Sequence, residues 1–127
     1  MNFNVNVRMK QTGVYVITLE GNLDSSTYHI LEQRLEPLLV PSTRGIIFDM
    51  SQLNYISSAG VRVIFKARKA LSQTGGSCAM TNLQPQIKKV FEIINALPLL
   101  RVFRNLEEAD RYLDTMQKKE MEKLGKE

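Results

Sequence analysis

A short apolar run near the middle of the chain, Gly45-Ile-Ile-Phe-Asp49, limits the fold more than any other feature. Its length and continuity are typical of a strand that is buried in the centre of a sheet. After an opening hairpin, segments with strand patterns alternate with segments of helical periodicity. This alternation predicts an α/β domain with a mixed, mostly parallel sheet of four to five strands and about four helices.

The predicted order of elements is β-β-α-β-α-β-α-β-α, without an internal repeat or a linker. Gly13 suits the turn of the hairpin, and Pro37 predicts the end of the first helix because proline lacks the amide hydrogen. The other predictions are strands at 3–7, 14–19, 45–49, 78–81 and 101–103, a loop at 51–58, and helices that start near residues 26, 60, 85 and 105. One domain is expected over residues 1–117, and a charged tail over 118–127 is expected to fray into solvent.

The composition is that of an ordinary globular protein, with 43% hydrophobic and 24% charged residues among 127. Cys78 is the single cysteine, so no disulfide can form within the chain, which suits a reducing compartment. Met1 to Lys10 do not form a signal peptide, and no run approaches the roughly 18 apolar residues of a membrane span. These features predict a cytoplasmic protein without membrane insertion.

Residues that nucleic-acid binders and common enzymes need are missing from the sequence. The net charge is +4, but there is no tryptophan and no interleaving of aromatic and basic residues, so direct nucleic-acid binding is not expected. A serine hydrolase needs a base beside its serine, and His29 is the only histidine. One cysteine and one histidine cannot make a zinc site, and no glycine loop resembles a P-loop. We therefore expect a binding protein rather than an enzyme, with no cofactor and no metal.

A set of short motifs follows the chain in a defined order. Phe48-Asp-Met-Ser51 ends the apolar strand in Asp-x-Ser, and Ser57-Ser-Ala-Gly60 opens the next helix after a short loop. Before and after them stand Gly21-Asn-Leu-Asp24 and a helix from Pro85 to Phe91 with Pro-x-x-x-x-x-Phe spacing. Together and in this order, over residues 5–117, the motifs resemble the STAS domains, and specifically the anti-sigma factor antagonists.

The resemblance implies a regulatory cycle. The family's acceptor serine aligns with Ser58, while Ser57 stands where the family has Asp and Ala59 where it has a second Ser or Thr. The unphosphorylated protein is expected to bind an anti-sigma factor that is also a serine kinase. Phosphorylation of Ser58 is expected to release this partner, and a serine phosphatase to reset the cycle. A stand-alone STAS subunit that docks on a membrane transporter or a sensory scaffold, without a phosphate cycle, is the alternative.

Physical chemistry allows two roles for Ser58. A serine directly before a helix is a plausible N-cap, whose oxygen accepts a bond from a free backbone N–H and contributes about 1 kcal/mol. A phosphate there would lie at the positive end of the helix dipole and add about −1.5 to −2 charge at an exposed edge. A partner packed against this edge would be repelled, so the phosphate would act as a binding switch.

The helix after Ser58 also offers a binding surface. The basic side chains of Arg62, Lys66 and Lys69 share one helical face, which is either a solvated surface or a docking strip for an acidic partner. Val61 and Phe65 flank this face and are either boundary core or exposed anchors. The other candidates for the acceptor loop and partner contact are Asp24, Ser57, Ala59 and Gly60.

Asp24 and Asp49 are a pair of acids at the predicted strand ends. In the family both lie near the acceptor serine, and the resemblance implies the same here. Two carboxylates could serve acid–base chemistry or hold Mg²⁺, or they could cap helices and accept bonds from loop amides. We expect Asp24 to shape the acceptor loop and to aid phosphorylation.

Overall fold

The computed structural model describes residues 3–96 and 106–125, and this part of the chain contains four strands and four α-helices. The elements are β1 (Phe3–Gln11), β2 (Val14–Leu23), α1 (Tyr28–Leu35), a 3-10 turn (Glu36–Leu38), β3 (Gly45–Ile56), α2 (Ser58–Ser72), β4 (Ser77–Thr81), α3 (Pro85–Ala96) and α4 (Leu106–Gly125). The strand predicted at 101–103 and Asn105, near which the last helix is predicted to start, lie outside the described residues.

The strands form one sheet in the order β1-β2-β3-β4. β1 and β2 are antiparallel, as expected of the opening hairpin, whereas β2 pairs parallel with β3 and β3 pairs parallel with β4. Helix α1 connects the first parallel pair and α2 connects the second. The mixed, mostly parallel sheet predicted from the alternation of patterns is therefore confirmed, and the run at 45–49 lies in a central strand.

One face of the sheet packs against the helices and the other face is largely polar. The core takes side chains from every described helix and from the inner face of the sheet: Ile17, Leu19, Ile46, Phe48, Leu31, Leu35, Val63, Ile64, Leu71, Ile87, Val90 and Leu113. The outer face carries Asn4, Asn6, Arg8, Thr18 and Asp49. Ile47 of the apolar run also lies on this face and is only half-buried. The apolar run is therefore buried on one face, and not on both faces as its composition suggests.

The loop predicted at 51–58 is wrong, because β3 continues to Ile56. Leu53 and Ile56 are fully buried and pair with Gly21 and Leu23 of β2, which likewise runs past its predicted end. The register between these strands shifts twice in this stretch, and such irregularities break the period-two pattern by which a strand is recognised in a sequence.

Helix α4 also exceeds its prediction, since it continues past Lys118 to Gly125. Its exposed face carries ion pairs at helical spacing, between Asp114 and Lys118 at 3.0 Å and between Glu120 and Lys123 at 3.4 Å. Pairs of this kind each stabilise a helix by roughly 0.2–0.5 kcal/mol, so the charged sequence supports the helix instead of ending it.

The second half of β3 extends beyond its neighbour. β4 ends at Thr81, opposite Asp49, so the stretch from Met50 to Ile56 pairs with a described strand on one side only. Glutamine side chains bond to the free edge. Gln84 donates from Nε2 to the carbonyl oxygens of Ser51 at 3.1 Å and Leu53 at 2.8 Å. These bonds satisfy carbonyl groups that a further strand would otherwise take.

We expect Gln84→Ala to lower the free energy of unfolding by about 1–2 kcal/mol, because the Leu53 carbonyl would lose its donor while partly buried. Urea unfolding followed by circular dichroism measures the change. Gln73→Ala, at an exposed glutamine after α2, is the matched control and should leave stability unchanged within about 0.5 kcal/mol. Equal losses in the two variants would contradict a role for Gln84 in satisfying β3.

Candidate functional site

The two adjacent serines lie where β3 turns into α2. Helix α2 begins at Ser58, and Ser57 is its N-cap with extended backbone angles (φ −99°, ψ 175°). The Ser57 N–H donates to the carbonyl of Leu23 at 2.9 Å, and its carbonyl accepts from the N–H of Val61 at 3.0 Å. The prediction that Ser58 caps the helix is therefore wrong, since Ser58 is already the first helical residue.

Both serines are buried, which corrects the expectation of an exposed edge. Ser57 is 5% and Ser58 is 4% exposed. Ser57 makes no side-chain capping bond, and its buried Oγ has no hydrogen-bond partner among the described residues. A charged group cannot stay unpaired in such surroundings without a large desolvation cost. Modification of the Ser58 hydroxyl therefore requires the first turn of α2 to rearrange.

Gly60 allows α2 to approach the sheet closely. A Cβ atom at this position would lie 2.7 Å from Cγ of Leu23 and 2.9 Å from Cγ1 of Ile56, both in fully buried side chains. Val61, one residue later, is 3% exposed and belongs to the core, so it cannot be an exposed anchor. Ala59 is half-buried. Gly60 and Val61 thus set the position of the first turn of α2.

Asp24 organises the turn between β2 and α1. Its Oδ1 accepts hydrogen bonds from the Ser26 N–H at 2.9 Å and the Ser26 hydroxyl at 2.7 Å. Thr27 donates to the carbonyl of Asn22 at 2.8 Å and accepts from the Asp24 N–H at 2.9 Å. Burial alone would raise the pKa of Asp24, but the hydrogen bonds from Ser26 and Thr27 outweigh it and hold the pKa below its usual value. Asp24 is therefore a carboxylate at neutral pH.

Asp24 and Ser57 line the same open cavity, which we call the serine cavity. Its volume is about 470 Å³, and its lining residues are Asn22, Asp24, Ser25, Ser26, Tyr55, Ser57 and Asp114. Two of these residues are carboxylates and none is basic, but Asp114 is ion-paired with Lys118 at 3.0 Å. The resemblance-based expectation that Asp24 lies near the serines agrees with this arrangement.

Asp49 does not join this site. It lies within β3, where its Oδ1 accepts from the Ser51 N–H at 3.0 Å and from Nδ2 of Asn82 at 3.3 Å. The extended strand from Asp49 to Ser57 spans roughly 25 Å. The pair of acids considered for acid–base chemistry or for Mg²⁺ is therefore not formed. In residues 3–96 and 106–125, no group of three or more His, Cys, Asp and Glu is arranged to hold a metal ion.

The basic face of α2 is exposed as predicted. Arg62, Lys66 and Lys69, here called the basic strip, are exposed, while Val63 and Ile64 between them are buried. The strip forms no ion pair with any described residue. Beside it, Lys66 lines a groove of about 450 Å³ together with Glu32 and Glu36 of α1.

Phe65 is anchored by the core instead of standing free. It is half-buried, and its ring lies 6.1 Å from the ring of Phe91 on α3, at an interplanar angle of 55°. A tilted pair at this distance is favourable. Of the two apolar candidates beside the basic strip, Phe65 therefore keeps a partly accessible edge and Val61 keeps none.

Gln117 is a residue of this region that the sequence analysis missed. Its side chain is fully buried: Oε1 accepts from the Ile56 N–H at 2.9 Å, and Nε2 donates to the carbonyls of Ile56 at 2.8 Å and Leu113 at 3.2 Å. One signal could have pointed to it. Gln117 follows Leu113 at a spacing of four, which puts an amide on the inward face of α4.

The model of the STAS domain family matches residues 6–109 of this chain. The chain belongs to the STAS domain family. Its relatives include BtrV of Bordetella bronchiseptica, named as a candidate anti-sigma factor antagonist, which is 33% identical over 100 residues that cover 79% of this chain and 86% of BtrV. The anti-sigma-B factor antagonist of Staphylococcus aureus is 28% identical over 102 residues, covering 80% of this chain and 94% of that protein.

Solved structures share the STAS fold. The Bacillus anti-sigma factor antagonist SpoIIAA superimposes with a TM-score of 0.67 in its unphosphorylated form, at 22% identity, over 75% of this chain and 84% of SpoIIAA. The phosphorylated form of SpoIIAA superimposes with a TM-score of 0.63 at 22% identity, over 75% of this chain and 86% of SpoIIAA. A sulfate transporter family protein of Wolinella succinogenes gives 0.56 at 17% identity, over 86% of this chain and 91% of that one.

The relatives are named for antagonism of a regulatory protein and not for a catalytic activity. None of the helices within residues 3–96 and 106–125 has the combination of length and hydropathy that crossing a bilayer requires.

We expect Gly60→Ala to destabilise the fold by about 1–2 kcal/mol. Overpacking against Leu23 and Ile56 costs about 1–3 kcal/mol, and the better helix propensity of alanine returns at most about 1 kcal/mol. Gly45→Ala is the control, because a Cβ there meets no atom closer than 3.8 Å. Thermal and urea unfolding compare the two. A Gly60→Ala variant as stable as Gly45→Ala would show that α2 does not depend on this close approach.

The lowered pKa of Asp24 predicts a stability difference that depends on pH. A carboxylate whose folded pKa is below its unfolded pKa stabilises the fold at higher pH, and this contribution disappears as the pH falls through the folded pKa. Asp24→Asn should therefore be less stable than wild type near pH 7, and the gap should close as the pH falls below about 4 and through the folded pKa of Asp24.

Urea unfolding at pH 7, 5, 4 and 3 tests this expectation. Glu122→Gln, on the exposed face of α4, is the control and should follow wild type at each pH. A gap between Asp24→Asn and wild type that stays constant down to pH 3 would disprove the role of the Asp24 charge.

Proposed function

We propose that this protein is an anti-sigma factor antagonist that binds an anti-sigma factor with serine-kinase activity while Ser58 is unphosphorylated. Phosphorylation of Ser58 releases this partner, and a serine phosphatase restores the binding form. The observation that carries the proposal is the location of Ser58 in the first turn of α2, directly after Ser57 of the serine cavity and four residues before Arg62 of the basic strip. The names of the relatives support it.

A phosphate on Ser58 would act on α2 in two opposite ways. It would add about −1.5 to −2 charge at a helix N-terminus, where the free N–H groups attract an anion. It would also lie close to the serine cavity, whose Asp24 carboxylate would repel it, whereas Asp114 is ion-paired with Lys118. Since Ser58 is only 4% exposed, the phosphate and the first turn must move outward together. The surface offered to a partner would then differ in both charge and shape.

The basic strip suits an acidic partner. Its three cations are exposed and are not paired with any carboxylate of the described chain, so they are available to another protein. Complementary charges of this kind mainly raise the association rate and make it sensitive to salt. Phe65, partly accessible beside the strip, supplies an apolar contact.

A stand-alone STAS subunit that docks on a membrane transporter or a sensory scaffold is the second candidate. Two observations favour it. Ser57 replaces the acid that the antagonist pattern has before the acceptor, and the fold also resembles that of a transporter-family protein. In this case the serine segment, Ile56 to Ser58, would bind the partner without a phosphate cycle.

Capture of partners from a cell extract, compared among wild type, Ser58→Ala and Ser58→Asp, tests the proposal. Wild type and Ser58→Ala should retain an anti-sigma factor, and Ser58→Asp should weaken binding at least tenfold because its charge imitates part of a phosphate. Incubation of wild type with the captured protein and ATP should add one phosphate at Ser58, located by mass spectrometry.

Ser42→Asp is the matched control, because Ser42 is exposed before the other end of β3 and should not affect binding. Two results together would overturn the switch. Wild type would acquire no phosphate on Ser58, and Ser58→Asp would bind the partner as tightly as wild type. Capture of a transporter subunit in place of an anti-sigma factor would support the second candidate.

A further inference from the structure

We propose that Gln117 on α4 is a positioning residue for the serine segment, and that it holds the conformation in which kinase and partner recognise Ser58. The proposal rests on the proposed function for its biological meaning, but the geometry that carries it is independent. A side chain far along the chain bonds both main-chain groups of the residue directly before the serines.

One peptide unit is held from two directions. The carbonyl of Ile56 accepts from Nε2 of Gln117 at 2.8 Å, and the N–H of the same peptide bond, which belongs to Ser57, donates to the carbonyl of Leu23 at 2.9 Å. Because a peptide unit is planar and rigid, these two bonds fix its orientation. The direction in which the chain enters α2, and with it the Ser58 side chain, follows from this orientation.

Gln117 can hold this peptide because its own side chain is fixed. The third hydrogen bond, from Nε2 to the carbonyl of Leu113 at 3.2 Å, ties the amide to the preceding turn of α4. The side chain is fully buried, so water does not compete with these bonds and their loss would leave buried groups of Ile56 unsatisfied. A displacement of α4 would therefore be transmitted to Ile56.

Helix α4 reaches the site at a second point. Asp114, one turn before Gln117, lines the serine cavity together with Asp24 and Ser57. The helix thus supplies a carboxylate to the wall of the cavity and an amide to the strand end that leads into it. Whatever orders or displaces α4 changes the main chain and the electrostatics at the serines together.

Gln86 offers a control that separates positioning from simple stabilisation. It is 2% exposed and donates from Nε2 to the carbonyl of Asn54 at 3.0 Å, on the same free stretch of β3. Methionine at either position keeps the side-chain volume and removes the amide. Both variants lose buried hydrogen bonding to β3, but only Gln117→Met releases the peptide unit that enters α2.

Amide hydrogen exchange of the full chain, followed by NMR, tests the positioning role without a partner. The reporters are the N–H groups of Ser57 and Val61, which are hydrogen-bonded across the turn into α2, and that of Ile17 in the central sheet reports global opening. Gln117→Met should raise exchange at Ser57 and Val61 at least tenfold more than at Ile17, because local opening no longer requires global unfolding. In Gln86→Met, the exchange rates of Ser57 and Val61 should rise only by the same factor as that of Ile17.

The exchange rates of Ser57 and Val61 are divided by that of Ile17 to remove the effect of global opening. Equal ratios in Gln117→Met and Gln86→Met would overturn the proposal. If Gln117→Met does not fold, Gln117→Asn replaces it, since that side chain keeps an amide but is one methylene too short to reach both groups of Ile56. The same exchange pattern is then expected and the same result would overturn the role.

A second measurement links the positioning role to function. With the captured anti-sigma kinase and ATP, Gln117→Met should be phosphorylated at Ser58 at least tenfold more slowly than wild type, whereas Gln86→Met should keep the wild-type rate. If wild type and Gln86→Met are phosphorylated and Gln117→Met matches them, the positioning role is wrong and the switch stands. If wild type acquires no phosphate, the proposed function fails, and the exchange data alone decide the positioning role.

Discussion

The free edge of β3 imposes a hydrogen-bonding requirement on the rest of the molecule. β4 is shorter than β3, so the strand beyond Asp49 has polar main-chain groups that no described strand takes up on that side. Buried groups of this kind are almost always paired, because an unsatisfied one costs about 1–3 kcal/mol. Glutamine amides from three positions, Gln84, Gln86 and Gln117, take the place of a strand. Through them the start of α3 and the middle of α4 are tied to the strand that leads to the serines.

This arrangement combines a rigid sheet with a site that would change conformation in the proposed switch. Because Gly60 has no side chain, the first turn of α2 packs directly against Leu23 and Ile56, and both serines are buried. At the same time Ser57 leaves its hydroxyl without a described partner and without a capping bond, so the helix start lacks one common source of stability. The close contact favours one conformation, and the uncapped helix start lowers the cost of leaving it.

The elements that the sequence predicts well are those whose signal is local. Gly13 at the hairpin turn, Pro85 at the start of α3 and the apolar spacing of α2 each act within a few residues, and the fold follows from their order. The sequence pattern does not predict the second half of β2 and β3, because the register shifts there interrupt the alternation of buried and exposed side chains. The burial of Ser58 and the bonds of Gln117 depend on contacts between distant segments, which no periodicity in one segment records. The resemblance supplied the proposed acceptor position, but it could not supply the separation of Asp49 from the serines.

The distance along the chain between Ile56 and Gln117 has a consequence for how the protein is made. These residues are 61 positions apart, and a chain under synthesis exposes its N-terminal part first. A nascent chain that has emerged only as far as β4 already contains both serines, the basic strip and the parallel strands that support them. It lacks the amide that fixes the peptide between Ile56 and Ser57. The orientation of the peptide that leads into α2 is therefore fixed only after α4 has left the ribosome.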